Sequence, residues 1–136
     1  MAGITEQDAM QLWKDMFGDE EYAVDCFGSY ICKSCWSNEK CMRTMPGDSK
    51  AYDYSWNVDH IRPKSDFKNE EDAYFFGNYE PMHRLNNEAK KDNYPSFEIN
   101  GKKYRVVSDG YGGYGIVDST GTRIDIKAKK RVYYKN

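Results

Sequence analysis

The chain has 136 residues, 39% hydrophobic and 31% charged, with a formal net charge of −2. That length and balance fit one globular domain with one modest core and exclude an intrinsically disordered chain. There is no apolar run of about 18 residues, which excludes a spanning helix. The start, Met1-Ala2-Gly3-Ile4-Thr5-Glu6, has neither the basic residues nor the apolar stretch of a secretory signal. The sequence therefore predicts a cytoplasmic protein with no membrane partner. In a reducing compartment its four cysteines are expected as thiols rather than disulfides.

Thr5-x-x-Asp8 reads as the cap of a first helix, with Ala9, Leu12, Trp13, Met16 and Phe17 on its buried face and Gly18 as its stop. The acidic run Asp19-Glu20-Glu21 reads as a solvated loop. Tyr22 to Asp25 and Tyr30-Ile31 read as short strands around Phe27-Gly28. Pro46-Gly47-Asp48-Ser49 places an exposed loop across residues 42–55. Trp56 to His60 reads as a strand. The polar, acidic stretch Asp66 to Ala73 is a connection, and Asn78 to His83 is the returning segment. Asn86 to Lys91 reads as a helix with Leu85 and Ala89 on one face, closed by Pro95.

Beyond Pro95 the pattern changes to strands. Phe97 and Ile99 alternate before the hairpin signal Asn100-Gly101, and Tyr104 to Val107 returns. The glycine-rich stretch 110–115 lacks the strand-to-helix setting and the lysine of a phosphate-binding loop. Ile116-Val117, the turn Asp118 to Gly121 and Thr122 to Ile126 suggest a further hairpin. Residues 101–136 carry nine basic and three acidic side chains, against an acidic remainder. Lys127, Lys129, Lys130 and Arg131 therefore form either a phosphate-facing patch or a solvated tail. Most of the 12 tyrosines are expected to pack.

The chemistry-bearing residues are Val58-Asp59-His60-Ile61-Arg62-Pro63, then Asn78, then Asn87-x-x-Lys90. Hydrolysis of a phosphodiester needs a base for water and positive charge for the phosphate and the leaving oxygen. A histidine near its ordinary pKa supplies the first, and one metal ion supplies the rest. Adjacent strand residues point to opposite faces, so Asp59 and His60 can share a site only where the strand ends or bends. Pro63 agrees with such an end.

Taken together with Trp56, Ser65, His83, Asn86, Glu88, Asp92, Phe97 and Asn100, these motifs resemble the HNH endonuclease family, in its small bacterial and phage branch. The resemblance covers about residues 22–107. It implies an α+β fold for a single domain, 1–136: a ββα-metal core at about 56–92, an N-terminal helix and a C-terminal β-hairpin extension at about 96–136. It implies His60 as general base, Asn78 as the residue that orients it, and Asp59 and Asn87 as metal ligands, with Lys90 on phosphate. Oxygen ligands favour one Mg2+ or Mn2+ over zinc. The implied partner is nucleic acid, double-stranded DNA first. RNA cleavage or a toxin-like role on the same core is one alternative, and a non-catalytic binding module with the same fold is another.

Several residues leave two readings open. Arg62 and Arg84 flank the motif and hold either a phosphate or a local salt bridge. His83 either binds metal or phosphate, or packs beneath the helix as outer support for the site. Cys26, Cys32, Cys35 and Cys41 fall within sixteen residues and form either a structural zinc site or buried thiols. Relatives often carry Gly-Gly where Asp66-Phe67-Lys68-Asn69 stands, and a second Cys-x-x-Cys pair that is missing here.

Overall fold

A computed structural model of the chain describes residues 4–125. The basic cluster at 127–131 lies outside them. The first helix, α1, spans Glu6–Phe17; the Thr5 hydroxyl accepts from the Asp8 amide, and Gly18, at φ 66°, ends it. Ala9, Leu12, Trp13 and Met16 are its buried face, as the apolar spacing predicts. Strands β1 (Tyr22–Val24) and β2 (Tyr30–Cys32) pair antiparallel across the Phe27-Gly28 turn.

Residues 42–55, expected as an open loop, contain two short paired strands, β3 (Met42–Arg43) and β4 (Tyr52–Asp53). The carboxylate of Asp53 pins this excursion by accepting from the amides of Cys41 and Ser55.

The centre is an antiparallel hairpin, β5 (Trp56–His60) with β6 (Tyr79–His83), in the register Trp56 to His83 and His60 to Tyr79. Helix α2 (Arg84–Lys90) follows β6 directly. The connection between β5 and β6 is built of three 3-10 turns, at 64–66, 70–73 and 76–78. Asn78, fully buried, holds it together: its Oδ1 accepts from the Arg62 amide, and its Nδ2 donates to the Arg62 and Ala73 carbonyls.

A three-stranded meander closes the described chain: β7 (Ser96–Ile99), β8 (Lys102–Ser108) and β9 (Tyr114–Asp118). Asn100 and Gly101 both take positive φ, the geometry of a two-residue hairpin turn. Of the last expected hairpin, whose Ile126 lies outside the described residues, the described part shows one bridge, Val117 to Arg123. Among the described residues the fold is therefore α+β, with two α-helices and several small antiparallel sheets.

Two main clusters flank the central hairpin. Ala9, Trp13, Ile31, Cys32, Cys35, Tyr54 and Trp56 form one; Ile61, Met82, Phe97, Ile99, Val106 and Ile116 form the other. A smaller cluster joins Leu12 and Met16 of α1 to Tyr79 of β6. No helix among the described residues is long and apolar enough to cross a membrane.

Candidate active site

Alternation along β5 sends Asn57 and Asp59 to one face and Val58 and His60 to the other. The strand ends at His60, and the chain turns at Pro63. A cavity of about 280 Å³ at this end is lined by Asn57, Asp59, His60, Pro63, Lys64, Arg84 and Asn87. A neighbouring cavity of about 560 Å³ shares Asn57, Val58, His60, Lys64 and Asn87 with it, and adds Ser37, Asn38 and Tyr74. The strand end thus resolves the problem posed by adjacent residues. Asp59, His60 and Asn87, far apart or oppositely directed in sequence terms, line one groove.

His60 is held at one nitrogen. Its Nδ1 lies 3.2 Å from the Ala73 carbonyl, which only accepts, so Nδ1 carries the proton and donates. The neutral ring then presents Nε2 as a lone-pair acceptor. Asn78 Nδ2 donates to the same Ala73 carbonyl at 3.1 Å, so the residue that ties the loop also fixes the anchor of His60. Tyr74 and Tyr79 meet the imidazole edge-on at 4.5 and 5.7 Å. Burial pushes the His60 pKa below its ordinary value of 6.5, against the bond to Ala73 and with help from the positive charges of Lys64 and Lys90.

Asp59 is 6% exposed, and its Oδ2 lies 3.1 Å from Lys90 Nζ. Lys90 is the main departure from expectation. It is fully buried and donates to the carbonyls of His60 and Ile61 at 3.3 and 3.0 Å, with the Phe97 ring 5.3 Å away. A side chain enclosed in this way holds the strand end and Asp59; it does not reach out to a substrate phosphate.

Both arginines follow the salt-bridge alternative. Arg62 binds Asp66 at 2.7 Å and the Tyr114 hydroxyl at 2.7 Å, and lies over the Phe67 ring. It braces the 61–78 connection against the C-terminal meander. Arg84 binds Asp53 Oδ2 at 2.8 Å, Ser55 Oγ at 3.0 Å and Glu88 at 3.1 Å. His83 caps α2: Nδ1 accepts from the Leu85 amide, and Nε2 donates to the Asp53 carbonyl at 2.8 Å. With both nitrogens engaged it is neither a metal ligand nor a phosphate donor.

The cysteines do not form a zinc site, and they are not all thiols. Cys35 and Cys41 are joined in a disulfide, leaving Cys26 and Cys32 free. Cys32 Sγ donates to Glu21 Oε2 at 3.2 Å, while Cys26 packs against the other core cluster. Among the described residues no three His, Cys, Asp or Glu side chains converge to hold a metal.

The residues without an assigned role in the sequence are Asn38, Asn57 and Lys64, all of which line the groove. Strand alternation from Asp59 places Asn57 on the same face, and that is the signal that finds it. A further cavity of about 600 Å³ among the described residues is lined by Tyr30, Met45, Tyr52, Tyr54 and Leu85. Asp53 and His83 also line it, each committed to its own hydrogen bonds, and Asp59, His60 and Asn87 do not, so its size does not make it the reactive site. No family model, curated protein or solved structure matches the chain.

Proposed function

We propose that the chain is a metal-dependent endonuclease of the HNH type, with β5, β6 and α2 as its ββα-metal core, hydrolysing phosphodiester bonds in DNA. The observation that carries this reading is the state of His60. Its Nδ1 proton is fixed on the Ala73 carbonyl by a loop that Asn78 ties, its Nε2 is a bare acceptor, and Asp59 and Asn87 line the same groove.

The donor set fits one hard cation. Asp59 and Asn87 offer a carboxylate and a carboxamide oxygen, which suits Mg2+ or Mn2+ and does not suit zinc. Two protein ligands leave positions for water and phosphate, the habit of magnesium. When bound, the cation would stabilise the charge that builds on the phosphate and on the leaving sugar oxygen.

The chain's own residues do the rest. His60 Nε2 takes the proton of the attacking water as its oxygen bonds to phosphorus. The bond from phosphorus to the leaving sugar oxygen breaks. Asn78 holds Ala73, and through it the ring, in the orientation the transfer needs. Lys90 carries charge at the site without touching substrate. Lys64, exposed on the groove wall, is placed to meet backbone phosphate in the role the motif gives to Lys90.

The deciding experiment is cleavage of supercoiled plasmid with Mg2+ or Mn2+, beside EDTA and the His60→Ala protein. Nicking that disappears in both controls is expected. A folded, metal-supplied protein that cleaves neither DNA nor RNA, or a His60→Ala protein that cleaves equally well, overturns the proposal.

A further inference from the structure

Three carboxamides run in a hydrogen-bonded line along the groove wall. Asn87 Nδ2 on α2 donates to Asn57 Oδ1 on β5 at 2.6 Å, and Asn57 Nδ2 donates to Asn38 Oδ1 in the loop after β2 at 3.0 Å. All three residues line the larger of the two adjoining cavities, and Asn57 and Asn87 line both. We infer that Asn57, backed by Asn38, is a positioning residue that holds the Asn87 carboxamide with its oxygen available to the cation. The inference rests on the metal-site reading above.

A carboxamide has an acceptor end and a donor end of nearly equal shape, and only the oxygen ligates a cation. Left alone, Asn87 presents either end. Once its NH2 is committed to Asn57 Oδ1, its oxygen is the end not used by that bond. The reversed chain would tie up the Asn87 oxygen and turn an NH2 toward the cation. Asn57 in turn stays oriented because its own NH2 is engaged by Asn38. The arrangement also joins three separate stretches of chain. β5 delivers Asn57 two residues before Asp59 on the same strand face, so a single strand supplies both a ligand and the group that aims the other ligand. Outer partners of this kind commonly matter to metal affinity by about 10- to 100-fold.

The test is Mn2+ binding to the full chain without nucleic acid, by calorimetry and by the spin-resonance signal of free Mn2+. Alongside wild type run Asp59→Ala, Asn87→Ala, Asn57→Leu, Asn57→Asp and Asn38→Ala. Thermal midpoint and circular dichroism monitor the fold. Asn57→Leu keeps the size and removes the acceptor, and should weaken Mn2+ about tenfold or more. Asn57→Asp keeps an acceptor for Asn87 and should bind at least as well as wild type. Asn38 is exposed, so its alanine variant folds, and it should weaken binding by a smaller factor of about two to three. If Asn57→Leu binds as wild type while Asn87→Ala loses binding, the inference is wrong and the metal site stands. An Asn57→Asp protein as weak as Asn57→Leu also overturns it. If neither Asp59→Ala nor Asn87→Ala alters binding, the metal-site reading itself fails.

Discussion

His60 keeps one ring nitrogen in a fixed bond and leaves the other as an acceptor, and that division has a pH consequence. The neutral ring is the working form, so activity falls as pH drops through the His60 pKa. Burial disfavours the imidazolium and moves that pKa below 6.5. The acid limb of kcat/KM should therefore have its midpoint below pH 6.5, and a bound cation nearby pushes in the same direction. A profile of nicking rate against pH at saturating Mg2+ reads it, and a limb centred above 6.5 contradicts the anchored-neutral assignment.

Lys90 is a stabilising residue as well as a charge at the site. Its ion pair with Asp59 is buried on both sides, at 0% and 7% side-chain exposure. Removing one partner of such a pair leaves a buried charge uncompensated, at a cost of about 3–5 kcal/mol. Lys90→Met should lose about 3 kcal/mol in urea unfolding without metal. If Asp59 is a metal ligand, saturating Mg2+ should then stabilise the variant more than it stabilises wild type. Equal Mg2+ responses would mean that Lys90 and the cation do not meet at Asp59.

At the scale of elements, α2 inverts the usual helix pattern. Leu85 is 51% exposed and Ala89 is exposed, while Asn86 and Lys90 are buried. Periodicity in a seven-residue helix cannot reveal this, because the buried face is chosen by polar partners from remote parts of the chain. Asn86 donates to Asp25 and Ser29, and Lys90 reaches the end of β5. The same limit applies to β3 and β4, whose two-residue pairing is held by Asp53 rather than by any hydrophobic alternation. In contrast α1, β5, β6 and the Asn100-Gly101 hairpin carry their signals locally, in caps, alternation and turn residues. The spacing of Asp59, His60, Asn78 and Asn87 is readable for that reason. The burial of Lys90 and the commitments of Arg62 and Arg84 are not, since their partners lie in other elements.

Asp53 allows the element-level view to be tested. Burial alone would raise its pKa, but the amides of Cys41 and Ser55 and the Arg84 guanidinium outweigh it and hold the carboxyl well below the ordinary value of 3.8. A carboxylate depressed in the folded state stabilises above the unfolded pKa and loses that contribution as pH falls below it. Asp53→Asn should cost about 2 kcal/mol at pH 7, through weakened bonds to a charged partner and to β3 and β4. The gap to wild type should narrow as pH falls below 3.8. Denaturant melts at pH 7, 4 and 3 measure it, and a gap that is constant with pH would show that the charge is immaterial.

At the scale of the whole molecule, the central hairpin belongs to both main clusters. Trp56 of β5 lies in the cluster with α1, β2 and Tyr54, while Met82 of β6 lies in the cluster with the C-terminal meander. Arg62 adds a polar tie from the site loop to Tyr114 of β9. The groove is lined by β5, the turn after it and α2, and β5 is held by β6, which packs on the second cluster, so the groove geometry depends on both halves. Each half is small, and shared strands make their unfolding one event rather than two. The three tryptophans report on one side only, since Trp13 and Trp56 are in the first cluster and Trp36 packs against it. Ile116, fully buried, is in the other cluster. Ile116→Ala should cost about 3 kcal/mol by leaving a cavity. If the hairpin couples the halves, the tryptophan fluorescence transition in urea should shift by the same amount as the far-UV circular dichroism transition, with an unchanged slope. A fluorescence midpoint that stays at the wild-type value while the dichroism midpoint falls would show two independent units, and the groove would then owe its shape to the first cluster alone.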